Sequence, residues 1–280
     1  MSMSAITSYT RMEFRLLLRE PLALFFTLVF PLLLLVIFGS IWGNTPIRDY
    51  GGYGYITLSL PGFLAMVVAT SGILTLSSTV ASYREIGFFR VLQTTPVTPF
   101  AVLSGQFASL FAATAASVAV LLIAARLVYN VAMPDNVLAF AAVFIGNCAA
   151  LFSFGFLLAS VLPSVRTTQI VSMGLFFPML FLCGAAMPAA ILPPGVREIG
   201  QFLPLTQAVN LFHSTWFGGE ASAILRNVLA LTVFTALNIA FASKAFSWGG
   251  ESLSKASARL VSLGIYIGGW MLTVVVLQYA

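Results

Sequence analysis

Long uncharged apolar runs recur along the whole of this sequence, and nothing constrains its fold more. A hydrocarbon core about 30 Å thick needs roughly 20 helical residues to cross it, and seven runs meet that length: about 22–42, 58–81, 100–127, 137–162, 169–188, 224–246 and 258–279. None has the alternating pattern of a barrel strand, so each can satisfy its backbone hydrogen bonds in a bilayer only as a helix. The third and fourth runs are long enough to require tilt or emergence past the interface. With 60% hydrophobic and 8% charged residues, the chain has too little polar surface to cover a water-soluble globule. The expected fold is therefore all-α, a polytopic bundle of six core transmembrane helices with a seventh at the C-terminus.

Charge sets the orientation. With the N-terminus in the cytoplasm, nine basic residues fall inside (Arg11, Arg15, Arg19, Arg84, Arg90, Arg166, Lys244, Lys255 and Arg259) and four outside (Arg48, Arg126, Arg197 and Arg226), as the retention of positive loops requires. The C-terminus then lies outside a multi-pass plasma-membrane protein. These basic residues are scattered singly between apolar runs and form no patch with aromatics, so nucleic acid is not an expected partner. The first run follows three arginines and lacks a small-residue cleavage site, which predicts that it stays as a span.

Two non-spanning stretches carry information, and the N-terminal segment carries some. Over residues 4–20, Arg11, Arg15 and Arg19 recur at i, i+4 on one stripe, which fits either an interfacial helix or a charged flank that fixes topology. After the second span, the cytoplasmic stretch from Ser82 to Pro99 predicts a short helix over about 83–93. Phe88, Val91 and Leu92 form an apolar face there, and Pro96 and Pro99 force a turn. Exposed apolar surface on a cytoplasmic loop needs a partner, either lipid or protein. Between the fifth and sixth spans, residues 184–223 stay hydrophobic but are broken by Pro188, Pro193, Pro194 and Pro204. Pieces too short to cross yet apolar enough to enter predict a re-entrant or interfacial hairpin on the outer face.

The chemistry that is missing narrows the function. Lys244 and Lys255 each follow a serine and sit in no glycine-rich turn, so there is no phosphate-binding loop. All eight acidic residues lie in loops or at span ends, which disfavours ion-gradient coupling through mid-span carboxylates. Thr114, Ser117, Asn147, Ser153 and Asn238 are neutral mid-span groups suited to joining helices. His213 is the only histidine and lies near Trp216, and Cys148 and Cys183 sit in apolar runs, so neither a histidine metal cluster nor a disulfide framework is expected. No catalytic, metal or cofactor residue is predicted in this chain.

Three places make the sequence resemble the type-2 ATP-binding-cassette exporter permeases, the daunorubicin-type drug-efflux family with its nodulation-factor and polysaccharide relatives. They are Arg19-Glu20-Pro21 through Phe30-Pro31 and Phe38-Gly39; Leu60-Pro61-Gly62-Phe63 followed by Arg84-Glu85-Ile86-Gly87 and Thr95-Pro96-Val97-Thr98; and Cys183-Gly184 through Pro188, Leu192-Pro193 and Leu203-Pro204-Leu205-Thr206. The resemblance implies a permease domain over residues 1–250 and an added helix over 251–280. It makes the loop after the second span a coupling helix on a separate ATPase subunit, contacted by Tyr83, Arg84, Glu85, Gly87, Phe88, Phe89, Arg90 and Leu92. It makes the segment bearing Gly184, Pro188, Pro193 and Pro204 an extracellular re-entrant hairpin. Two permease chains, identical or different, over two ATPase copies are implied, with ATP and Mg2+ on the partner and a lipophilic or amphipathic substrate moving outward at the dimer interface. Two places depart from the pattern: Tyr83, Phe88 and Arg90 stand where the family often has an acid, a threonine and another acid, and the run 258–279 is additional. An export permease for polysaccharide or glycolipid, or a carrier or scaffold working without an ATPase, are the competing expectations.

Overall fold

The computed structural model describes residues 21–46, 52–88, 99–134, 136–184, 193–245, 269–271 and 273–276. The N-terminal segment 4–20, Phe89, Arg90, Leu92, Pro188 and most of the run 258–279 lie outside the described residues. Among the described residues there is no strand, and six helices are long and apolar enough to cross a membrane: α1 (Phe25–Trp42), α2 (Tyr55–Glu85), α3 (Pro99–Tyr129), α4 (Val137–Val161), α5 (Val165–Leu182) and, after two shorter helices, α8 (Ala221–Ala245). The shorter pair is α6 (Pro194–Gly200) and α7 (Pro204–Phe217).

Helix α2 is the axis of the bundle. It touches α1, α3, α4, α5 and α7, and from Tyr55 to Ala81 it is buried almost throughout. Small residues on all its sides, among them Ser59, Gly62, Ala65, Ala69 and Gly72, let neighbouring backbones approach closely. Its regular ladder is interrupted twice, by Pro61 and by a π-helical segment, Thr70–Leu76. Carbonyls loosened in this way find no water in a bilayer core and must be answered by protein. Hydroxyls supply part of that answer: Thr70 and Ser71 donate to Val67 O at 2.9 and 3.0 Å, Ser78 to Leu74 O at 2.7 Å and Thr79 to Thr75 O at 3.0 Å.

The π segment also marks the tightest helix crossing. A Cβ added to Gly155 of α4 would stand 1.8 Å from Gly72 O, and one added to Gly72 would stand 2.5 Å from Leu151 O. Two glycines thus bring α2 and α4 into backbone contact. Elsewhere neutral polar pairs join the helices, with Ser77 and Ser172 3.0 Å apart between α2 and α5, and Asn238 of α8 donating to Ser153 of α4 at 3.0 Å. Among the described residues no charged side chain is buried.

The second helix begins and ends beyond the run 58–81 read from hydropathy, because Arg84 and Glu85 complete its last turn instead of starting a separate element. The fifth ends at Leu182, where Gly184 takes a positive φ of 78°, so the run read as 169–188 is in fact a helix shifted toward its start. Three residues, Leu162, Pro163 and Ser164, connect α4 to α5. Pro163 cannot prolong α4 and holds Leu162 extended, while Ser164 caps α5 by accepting from Thr167 N at 3.2 Å.

Candidate functional site

The two ends of the bundle differ in construction. At one end, α2 stops as Ile86 N and Gly87 N donate to Ser82 O and Arg84 O, with Gly87 at φ 73°. A left-handed residue after the last turn is the glycine-favouring way to end a helix. The start of the short helix expected over 83–93 is corrected here: Tyr83, Arg84 and Glu85 belong to α2, and the positive φ of Gly87 breaks the chain direction before Phe88, while residues 89–93 lie outside the described residues.

Arg84 and Glu85 reach sideways from that last turn to the α4–α5 connection. The Arg84 guanidinium donates to Ala159 O at 2.7 Å, to Ser160 O at 3.3 Å and to Leu162 O, three carbonyls at the C-terminus of α4. Glu85 Oε2 accepts from Val165 N at 2.7 Å, the first N–H of α5. The polarity follows from helix physics. A helix leaves partial negative charge and free carbonyls at its C-terminus and partial positive charge and free N–H groups at its N-terminus. Where two helices meet across three residues, a cation beside an anion answers both ends. Adjacent residues of opposite charge therefore clamp the turn between α4 and α5 to the end of α2.

The other residues read as a docking surface fall as follows. Tyr83 and Phe88 pack ring to ring, with centroids 4.8 Å apart, and both lie against the hydrophobic core. Gly87 has open space around its Cα. Ile86, part of the Arg84–Gly87 motif but not among the expected contact residues, is 69% exposed at the tip of the turn, a large apolar side chain facing outward between Glu85 and Gly87. Its only sequence signal was its place beside the charged pair. Phe89, Arg90 and Leu92 lie outside the described residues.

At the opposite end, α6 and α7 form a hairpin stapled across its turn: Thr206 Oγ1 donates to Gly200 O and Gln207 Nε2 to Gln201 O at 2.8 Å. Gly200 lies against Leu182 O at the end of α5, where an added Cβ would meet that oxygen at 2.2 Å. Pro193 precedes α6 and Pro204 opens α7, where a missing N–H costs nothing. Gly184 provides the turn out of α5, so of the four residues assigned to this element only Pro188 is outside the described residues. The hairpin enters the bundle. Ala208 O accepts from Asn147 Nδ2 at 3.3 Å, and Asn147 is ten residues into α4, about 15 Å along the helix axis at 1.5 Å per residue. Leu205, Ala208, Leu211 and Phe212 are buried there. At the mouth, Trp216 Nε1 donates to Ala132 O at 2.7 Å and its ring meets Phe140 edge-on at 5.6 Å. His213 lies tilted against Phe217 with centroids 4.3 Å apart, and partial desolvation holds its pKa below the ordinary histidine value; among the described residues no group of metal-ligating side chains surrounds it. Between α4, α7 and α8 a groove of about 550 Å³ is lined by Gly146, Ala149, Leu231, Thr235 and Ala236.

A family model described as the ABC-2 type transporter matches residues 4–217, a range that includes both the clamp at Arg84 and the hairpin through Phe217. No curated protein matches the chain.

Proposed function

This chain belongs to the ABC-2 type transporter family, and on that premise we propose that it is the membrane permease of an exporter that moves a lipophilic or amphipathic compound outward. Members of the family are multi-pass permease components, dimeric in general, whose ATPase is a separate subunit. In the proposed assembly two copies of an ATPase bind ATP and Mg2+ and seat against the Arg84 end, which faces the cytoplasm of a cell membrane. The hairpin of α6 and α7 faces outward, and the second permease chain, identical or different, completes the path.

One observation carries this reading: the last turn of α2 is tied by Arg84 and Glu85 to the start of α5 and the end of α4. A push on the segment beginning at Ile86 is thereby delivered to three helices at once. Ile86, Gly87 and Phe88, with Phe89, Arg90 and Leu92 beyond, supply the contact surface, while Arg84 and Glu85 transmit. The absence of buried charge among the described residues and the apolar groove beside α8 support a hydrophobic substrate. Efflux of an antibiotic is one use of such a device.

Co-purification from native membranes tests the partner: an ATPase subunit should accompany the wild-type chain and be lost with Phe88→Glu, while insertion is unchanged. Retention of the ATPase by Phe88→Glu removes that residue from the docking surface. In proteoliposomes, ATP-dependent outward movement of a lipophilic dye supports the substrate class, whereas stimulation of the ATPase by a glycolipid alone refutes it.

A further inference from the structure

Beyond the matched residues 4–217, the run 258–279 contributes one described helical piece, and it is joined to the hairpin. Trp270 is 6% and Val274 2% exposed, whereas Met271 and Val276 are half exposed. Positions i and i+4 thus give this piece one face against the bundle. The Trp270 ring lies 4.8 Å from Phe234, which in turn lies 5.4 Å from Phe154 of α4. Phe234 is at the middle of α8, so the indole is held at mid-helix depth. Its N–H donates to Phe202 O at 2.7 Å.

Phe202 belongs to the turn between α6 and α7. The turn closes on itself through Phe202 N to Ile199 O and Leu203 N to Gly200 O, and Pro204 brings no N–H of its own. The Phe202 carbonyl takes its donor from outside the hairpin, the Trp270 indole. A backbone carbonyl at that depth is costly unless a protein donor reaches it, and Trp270 is the donor that does. On its other side α7 is held to α4 by the longer 3.3 Å bond from Asn147, whose Oδ1 has no partner. The shorter tether is the one to Trp270.

We propose that Trp270 is a positioning residue for the re-entrant hairpin: the described piece that carries it lies against Phe234 of α8, and its indole fixes how deeply α7 enters the bundle. The occupancy of this tether decides whether the outer end of the path is held or free to move, independently of which substrate passes.

The test uses the full chain with its ATPase partner in proteoliposomes, with Cys148→Ala and Cys183→Ala removing the native thiols. Ile199→Cys on α6, an exposed position, reports on the hairpin, and Leu127→Cys on α3, also exposed, serves as the control. The rate of alkylation by a membrane-impermeant maleimide is measured for Trp270, Trp270→Phe and Trp270→Ala. Trp270→Phe keeps the ring and removes only the donor, so it remains informative if Trp270→Ala fails to fold. The expected result is at least a threefold rise at Ile199→Cys with Trp270→Phe and no change at Leu127→Cys. Unchanged rates at both positions overturn the proposal, and so does an equal rise at both, which would mark a general loosening.

Discussion

Replacing Arg84 by glutamine separates transmission from docking. The guanidinium spans three carbonyls of α4, two of them in short bonds, and a hydrogen bond to a charged donor contributes about 1.5–3 kcal/mol net. Because Arg84 is half-buried at the end of the bundle, water answers part of what glutamine leaves. The loss is then on the order of one such bond together with the helix-end charge effect of about 0.3–1 kcal/mol, roughly 2–3 kcal/mol in all. As a coupling free energy this corresponds to about a 30- to 150-fold weaker bias between the two sites. The complex should therefore assemble and hydrolyse ATP while transport per ATP falls at least tenfold. Arg84→Lys keeps the charge but cannot reproduce a planar fork across separate acceptors, and should fall between. ATP hydrolysis and dye transport measured on the same proteoliposomes provide the ratio. Parental transport per ATP in Arg84→Gln refutes the clamp. Loss of the ATPase subunit from the purified complex would instead make Arg84 a docking residue.

Two further outcomes follow from the packing. Gly155→Ala must move α4 off α2, since the new Cβ starts 1.8 Å from Gly72 O; overpacking of this kind costs about 3 kcal/mol, or about 6–12 °C of melting temperature at this size, and a shift under 2 °C would disprove the close crossing. His213 is exposed on α7, and partial desolvation beside Phe217 lowers its pKa, so the unfolded chain binds its proton somewhat more readily than the folded one. Stability should be full above the ordinary histidine value, about pH 6.5, and decline as pH falls from there toward the lower folded pKa. Thermal unfolding between pH 7.5 and 5.5 checks this, and a His213→Gln variant with the same pH dependence would show that another group is responsible.

The spans were legible because hydropathy responds to length, and a bilayer admits only internally bonded helices. The ends were less so. Reading stopped the second helix near Ala81 because Tyr83, Arg84 and Glu85 look like loop residues, yet two of them are charged for the sake of neighbouring helix termini. Periodicity along one chain cannot show that Leu162 and Val165 lie beside Arg84, since the contact joins positions about eighty apart. The hairpin was visible in its prolines, which break helices locally. Its depth was not, because depth is set by Asn147 on α4 and by Trp270, both distant in sequence.

That contrast bears on how the Arg84-Glu85 pair acts. Read along the chain, the pair belongs to a polar surface offered to a partner. In the folded protein its charges are directed at the α4–α5 connection, and the outward face at this point is Ile86. A partner pressing on Ile86 and Phe88 would thus meet apolar surface, while the charges behind it convert the displacement into movement of α4 and α5. Because Gly72 and Gly155 bring α2 and α4 into backbone contact further along, those two helices are joined at two levels. Helix α5 is likewise joined to α2 at two levels, by its first N–H on Glu85 and by the Ser77–Ser172 pair. A displacement at the end of α2 is therefore passed to both α4 and α5.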